Sequence, residues 1–121
     1  MVIEIFEKNM QIPFLTDIYG ELLSERKREL LDYYYNEDYS LSEISEITGI
    51  SRQGIRDSVK KSEAELLEFE EKLCLLKRIR ALESQKSEII NLLTQLQKAE
   101  QPESIRPTLD KVIALLDTLG L

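Results

Sequence analysis

The longest stretch of this chain without glycine or proline runs for 47 residues, between Gly54 and Pro102. Glycine and proline are the residues that interrupt a helix most strongly. No run of alternating β-branched residues indicates a strand, in this stretch or elsewhere. The stretch therefore predicts helix. A single helix of this length would be ~70 Å long, and only partner helices could bury its apolar seam.

The apolar residues of this stretch follow two seven-residue patterns that differ in phase. One pattern includes Val59 and Leu66, and the other begins at Ile79. Such a slip indicates either an overwound coiled coil or a break between two helices, and we predict a break or bend within 77–88. The seam predicts a homodimer interface, with packing inside one chain as the alternative. The residues assigned to this interface are Leu66, Phe69, Leu73, Leu76, Ile79 and Leu82.

The rest of the chain also divides into helical segments. Residues 2–22 have apolar residues at steps of three or four, with a kink expected near Pro13. Further helices are predicted at about 25–37, at 41–48 and at about 105–119, and the last should fold back antiparallel on the helix before it. The face of the first segment predicted to be buried consists of Ile3, Phe6, Met10, Phe14, Ile18 and Leu22.

Composition argues against several classes of function. The chain has no histidine, which removes the commonest general base and metal ligand. Its one cysteine, Cys74, cannot form an internal disulfide or a cysteine-rich zinc site. No catalytic motif occurs, so we predict a binding protein in the reducing cytoplasm, not an enzyme, with no metal and no cofactor. No apolar run approaches the ~18–20 residues of a membrane span, so insertion is not expected.

The segment from Leu41 to Lys61, LSEISEITGISRQGIRDSVKK, has the pattern of a helix-turn-helix. The motif needs inward apolar residues on a short first helix, a small residue at the crossing, a glycine, an apolar plug and a second helix. Ser40 and Glu43 have capping-box spacing before the first helix, and Ser51 is an N-cap for the second. The inward residues are Ile44 and Ile47 on the first helix and Ile55 and Val59 on the second. Ser45 is the small residue at the crossing, Gly49 is the glycine and Ile50 is the apolar plug.

With its apolar residues inward, the second helix presents a polar stripe. Recognition helices present their N-terminal residues to base edges in the major groove, where Arg can bridge a guanine and Gln an adenine. Residues 51–62 have a net charge of +3, although the chain has −7. The alternative to nucleic-acid binding is that this polar stripe is an ordinary solvated helix face. The side chains predicted to contact nucleic acid are Ser42, Ser51, Arg52, Gln53, Arg56, Lys60 and Lys61, of which Ser42 and the lysines suit phosphates.

The sequence resembles known helix-turn-helix proteins. The run LLSERKRELLDYYYNEDYSLSEISEITGISRQGIRDSVKKSEAEL, residues 22–66, resembles the region-4 helix-turn-helix of bacterial sigma factors. Over its whole length the chain resembles the YlxM family, small bacterial proteins encoded beside the signal recognition particle genes. The sigma pattern usually has alanine at Ser45 and Gly54. We predict an all-α fold with a sigma region-4-like helix-turn-helix head at 1–66 and a long helical C-terminal tail at 67–121.

Three functions remain open at this point. The complete helix-turn-helix favours a DNA-binding regulator, and the resemblance links it to the signal recognition particle pathway. The acidic charge and the resemblance favour an accessory protein that binds the particle's GTPase or its RNA. A protein-interaction adaptor that has lost DNA affinity is the third hypothesis. For the four tyrosines between 33 and 39, packing in the core is favoured over stacking on RNA bases.

Overall fold

The computed structural model describes residues 8–99, 103 and 105–118. Within these residues the chain forms helices and no strand, which confirms the predicted all-α class. A short 3₁₀ turn, Gly20–Leu22, follows the first helix. The helices are α1 (Ile12–Tyr19), α2 (Glu25–Tyr35), α3 (Leu41–Thr48), α4 (Arg52–Leu73), α5 (Leu75–Lys98) and α6 (Arg106–Thr118).

The chain separates into two compact units, Met1–Leu76 and Lys77–Leu121. The predicted division lay ten residues earlier, after residue 66. Helix α4 belongs to the first unit along its whole length, because Phe69 packs against the core of that unit and Leu76, just beyond α4, is part of it. The first unit therefore includes the whole of α4.

The core of the first unit is built around α4, which contacts α1, α2 and α3. Helix α2 buries Leu30, Leu31 and Tyr34, and Ser24 accepts a hydrogen bond from the backbone N–H of Lys27 as its N-cap. Each fully buried Leu, Ile or Val contributes about 1.5–3 kcal/mol. The other buried apolar residues of this core are Ile12, Leu15, Tyr19, Leu23, Ile44, Ile55, Val59, Leu66 and Leu76.

Helix α1 buries a different face from the predicted one. Its buried residues are Ile12, Leu15 and Tyr19, whereas Met10, Phe14 and Leu22 are exposed. The prediction for this face is therefore wrong at these three residues, while its member Ile18 packs partly buried against the core. Its members Ile3 and Phe6 lie outside the described residues. Pro13 does not kink a longer helix. It lies in the first turn of α1, where its missing N–H would have no intrahelical partner.

The long helical stretch is broken at Cys74, three residues before the predicted window of 77–88 begins. Cys74 has φ 55° and ψ 29°, in the left-handed region, and ends α4 as its C-cap. The hydroxyl of Tyr19 donates a hydrogen bond to Glu70 Oε1 at 2.8 Å and accepts one from the N–H of Leu75 at 3.1 Å. Glu70 Oε1 also accepts the N–H of Leu76 at 3.0 Å, so side chains satisfy amides of the first turn of α5.

We expect Cys74→Gly to stabilise the protein by about 1 kcal/mol, because a residue with a β-carbon is strained in the left-handed region and glycine is not. Chemical denaturation would measure the free energy of unfolding. Cys74→Ala is the matched control, since it removes the thiol and keeps the β-carbon. If the glycine variant is no more stable than the alanine variant, backbone strain at this position contributes nothing.

The second unit contains an antiparallel pair formed by α5 and α6. The amide of Gln97 donates to the carboxylate of Asp110, and Lys86 Nζ lies 4.0 Å from Asp117 Oδ1. The later residue of α5 therefore pairs with the earlier residue of α6, which confirms the predicted antiparallel return. Among the described residues of this unit, Leu109 of α6 is buried.

Candidate nucleic-acid interface

Local hydrogen bonds define the helix-turn-helix that α3 and α4 form. Ser40 and Glu43 make the predicted capping box, with bonds in both directions. Gly49 follows α3 with φ 75° and ψ 2°, a conformation in which glycine has no steric cost. Ser51 then accepts a hydrogen bond from the N–H of Gly54 and caps α4. The predicted limits of α3 and the start of α4 are confirmed.

The two departures from the sigma pattern fit the geometry of the turn. The hydroxyl of Ser45 donates to the carbonyl oxygen of Ile50 at 2.6 Å, a bond that alanine could not make. A β-carbon at position 54 would lie 3.1 Å from a methyl carbon of Ile50 and 3.1 Å from the hydroxyl oxygen of Ser51. The hydroxyl of Ser45 therefore stabilises the turn, and the absence of a β-carbon at Gly54 leaves room for Ser51 to cap α4.

One inward residue of the motif was predicted wrongly. Ile44, Ile55 and Val59 are buried, as predicted, but Ile47 is 53% exposed. The motif pattern requires two apolar residues on α3, and the core of this unit is completed on that helix by Ile44, with Leu41 packed partly against it. Ile47 therefore adds an exposed apolar side chain near the end of α3.

The predicted contact residues line an open groove between the start of α3 and the start of α4. The groove has a volume of about 470 Å³ and is mostly polar. Arg52 Nη1 donates a hydrogen bond to Ser42 Oγ at 3.4 Å across it, so the two helices are joined at this point. The residues that line the groove are Ser40, Leu41, Ser42, Arg52, Gln53 and Arg56. Sequence reasoning missed Ser40 and Leu41 as lining residues, because it assigned them structural roles only.

The remaining predicted contact residues lie beside this groove. Ser51 has its side chain engaged as the cap of α4. Lys60 and Lys61 lie one to two turns farther along α4 and are exposed. Gln53 Nε2 donates to Asp57 Oδ1 at 2.8 Å, so the amide of Gln53 is oriented by a neighbour on its own helix. The groove thus has a fork-shaped guanidinium and an oriented amide near the N-terminus of α4.

The acidic stretch 63–71 mainly pairs with side chains of its own unit. Lys27 bonds to Glu65 at 2.8 Å and Tyr35 donates to Glu63. Lys72 bonds to Glu68 at 2.8 Å and lowers the pKa of that carboxyl. Among the described residues no cluster of three acidic or cysteine ligands could hold a metal ion. The bonds of Glu63 and Glu65 thus link α4 to α2, and the pair of Glu68 with Lys72 lies within α4.

The tyrosines are used in packing. Tyr34 is buried, and Tyr33, Tyr35 and Tyr39 pack partly buried against the core. The rings of Tyr33 and Tyr39 stack with centroids 5.8 Å apart. Burial, and then the hydrogen bond with Glu63, raises the pKa of Tyr35. The core role predicted for these residues is confirmed for Tyr34, and the others have their rings engaged inside the unit.

The residues predicted to form an oligomer interface lie in different surroundings. Leu66 and Leu76 are buried in the first unit and are unavailable to a second chain, because the core already covers them. Phe69 packs against that core, with its ring 5.8 Å from that of Tyr19. Ile79 is half-buried. The two exposed members of the set are Leu73 and Leu82.

The first unit is strongly acidic although it contains the helix-turn-helix. Met1–Leu76 includes nine Lys and Arg against 17 Asp and Glu, which gives a net charge of −8. The positive charges of Arg52, Arg56, Lys60 and Lys61 are therefore a local exception.

In the described part of the chain, no helix is both long enough and apolar enough to cross a bilayer.

Comparison with known proteins identifies the family. The family described as "Putative helix-turn-helix protein, YlxM / p13 like" matches residues 6–107. A UPF0122 protein of Clostridium kluyveri is 40% identical over 106 residues, which cover 88% of this chain and 92% of the relative. Another of Halalkalibacterium halodurans is 38% identical over 113 residues, 93% of this chain and 97% of the relative. The chain therefore belongs to the YlxM/p13-like family of helix-turn-helix proteins, UPF0122.

Proposed function

We propose that this chain is a DNA-binding regulatory protein that places the N-terminal turns of α4 in the major groove. The groove between α3 and α4 is the observation that carries the proposal. It brings Arg52, Gln53 and Arg56 together with the hydroxyl of Ser42. Arginine and glutamine can form paired hydrogen bonds with base edges, and a serine hydroxyl can donate to a phosphate.

Electrostatics limits how this surface could bind. A head offers four basic side chains around the groove, but the first unit as a whole repels a polyanion because its net charge, with these four included, is −8. Binding to duplex of any sequence should therefore be weak at physiological salt, and useful affinity should come from base contacts and from paired heads. A homodimer and a cytoplasmic location are parts of this proposal.

The test is a salt titration of binding measured by fluorescence anisotropy. The probes are a pool of random duplex DNA, a duplex selected from it, the signal recognition particle RNA and the particle's GTPase. If one head neutralises four phosphates, the slope of log affinity against log salt should be about −3 to −4, and about twice that for two heads. A selected consensus with such a slope supports the proposal. No duplex binding at low salt would overturn it.

The second candidate is an accessory protein of the signal recognition particle system. The net charge of −8 on the first unit favours it, because an acidic surface steers toward a basic protein. The signal recognition particle is proposed as that partner because the family's proteins are encoded beside its genes. In the same titration, saturable binding to the GTPase or the RNA, with none to duplex DNA, would favour this candidate over the regulator. Binding to the GTPase alone would fit a protein-interaction adaptor as well.

A further inference from the structure

An acidic side chain lies at the centre of the outer face of α4. Asp57 comes two residues after buried Ile55 and two residues before buried Val59. With about 3.6 residues per turn, this spacing puts Asp57 on nearly the opposite side of the helix from both. Its side chain is exposed and lies outside the lining of the groove. An acid on a surface that approaches DNA needs an explanation, because its charge repels the phosphates of every duplex.

The carboxylate of Asp57 holds the amide of Gln53 in one orientation. Gln53 Nε2 donates a hydrogen bond to Asp57 Oδ1 at 2.8 Å. An ionised carboxylate only accepts hydrogen bonds, so the nitrogen of the amide and not its oxygen must face Asp57. A glutamine amide without such a neighbour can turn and exchange its donor and acceptor. With the bond in place, Gln53 keeps Oε1 as an acceptor and one N–H as a donor for a base.

The groups that Gln53 keeps match the edge of adenine in the major groove. Adenine presents a donor, the N6 amino group, beside an acceptor, N7. Guanine presents two acceptors, thymine presents an acceptor and a methyl group, and cytosine presents a donor. A freely turning amide could direct its N–H groups to the acceptors of guanine or thymine, and the bond to Asp57 opposes that turn. Adenine is therefore the base that uses both remaining groups of Gln53.

We propose that Asp57 is a positioning residue that makes Gln53 specific for adenine. This role rests on the proposed function, because it requires the first turns of α4 to enter the major groove. Asp57 thus lowers the affinity for every duplex and raises discrimination at one base pair. The alternative is that the pair only stabilises α4, as Gln and Asp four residues apart do in isolated helices.

A double-mutant cycle measured by fluorescence anisotropy tests this role. The probes are the selected duplex and versions of it in which each A·T pair in turn is replaced by G·C. The wild type should prefer adenine at one of these pairs by roughly tenfold or more, and Gln53→Ala should lose that preference. Asp57→Ala should lose most of it as well, while its affinity for random duplex rises about threefold. Because the two side chains act as one unit, the double variant should lose no more than Gln53→Ala alone.

Asp57→Asn is the matched control, since it removes the charge and keeps an acceptor at the same place. It should bind random duplex as Asp57→Ala does and keep most of the adenine preference. Replacing the adenine by its 7-deaza analogue, which lacks the N7 acceptor, should weaken binding of the wild type and not of Gln53→Ala. In the protein without DNA, the nuclear magnetic resonances of the Gln53 side-chain amide should move in Asp57→Ala.

Losses that add in the double variant would overturn the positioning role, because Asp57 would then contact a base by itself. An unchanged adenine preference in Asp57→Ala would also overturn it, and a lower helix content by circular dichroism would then leave only the stabilising pair. A wild type that binds no duplex overturns the proposed function, and the role of Asp57 with it. A wild type that binds a selected duplex, with the losses above absent, overturns the role of Asp57 alone.

Discussion

The double variant Arg52→Ala/Arg56→Ala should lose most of its preference for a selected duplex, with each lost base contact costing ~1–3 kcal/mol of discrimination. The two residues lie one turn apart on α4 and both line the groove shared with α3. Arg52 is held toward this groove by its bond to Ser42, so its guanidinium is already partly positioned. Affinities of the variant for the selected and the random duplex, compared at one salt concentration, measure the effect.

Lys61→Ala is the control for this pair. Lys61 is exposed and lies farther along α4, where a phosphate is the expected contact. Its loss should weaken all duplexes about equally and reduce the salt slope by about 1. If the double arginine variant behaves in the same way, the arginines contact phosphates and not bases. If the double arginine variant leaves binding to every probe unchanged, the groove is not the binding surface.

Leu66→Ala is expected to lower the free energy of unfolding by about 2–5 kcal/mol, because it leaves a cavity in the core of the first unit. Leu66 is 0% exposed in the core of the first unit, and its helix α4 contacts α1 and α2. The loss should appear in urea denaturation as a lower midpoint with an unchanged slope. Measurements at several protein concentrations separate this loss from any change in association.

Leu67→Ala provides the comparison. Leu67 is the next residue and is 41% exposed, so truncating it should cost within about 0.5 kcal/mol. The pair also tests the interface predicted from the sequence, in which Leu66 contacted a second chain. A Leu66→Ala variant that dissociates into single chains while each chain keeps its stability would contradict the packing described above.

Features with a local cause could be predicted from the sequence. The ends of α3 and the start of α4 are determined by Ser40, Gly49 and Ser51, whose hydrogen bonds or backbone angles involve residues at most a few positions away. The groove residues of α4 follow from the same local geometry, because Ile55 and Val59 decide which side of α4 points outward. Helix-turn-helix geometry was therefore accessible from the residues alone.

Features that depend on residues far apart in the sequence could not be predicted from it. In the first segment, residues 12, 15 and 19 and residues 10, 14 and 18 are both apolar series with helical spacing, and only packing against α4 selects between them. The break at Cys74 has no glycine or proline to signal it. It depends on Tyr19, which is 51 residues away from its partner Glu70. The heptad patterns likewise assign Leu66 and Leu82 to the same interface, although Leu66 is buried in the core and Leu82 is exposed.

The bond to Tyr19 makes the Leu75 amide, at the start of α5, a reporter of the first helix. The N–H groups of Leu75 and Leu76 bond to side chains of Tyr19 and Glu70 and not to the preceding turn of a helix. Exchange of the Leu75 amide with solvent deuterium is therefore governed by whether α1 stays docked, because its acceptor Tyr19 lies on α1. The acceptor of Leu76 lies on α4, and amides in the middle of α4 follow unfolding of the whole unit. The Leu75 amide thus records a local opening that the helix content of the protein would not reveal.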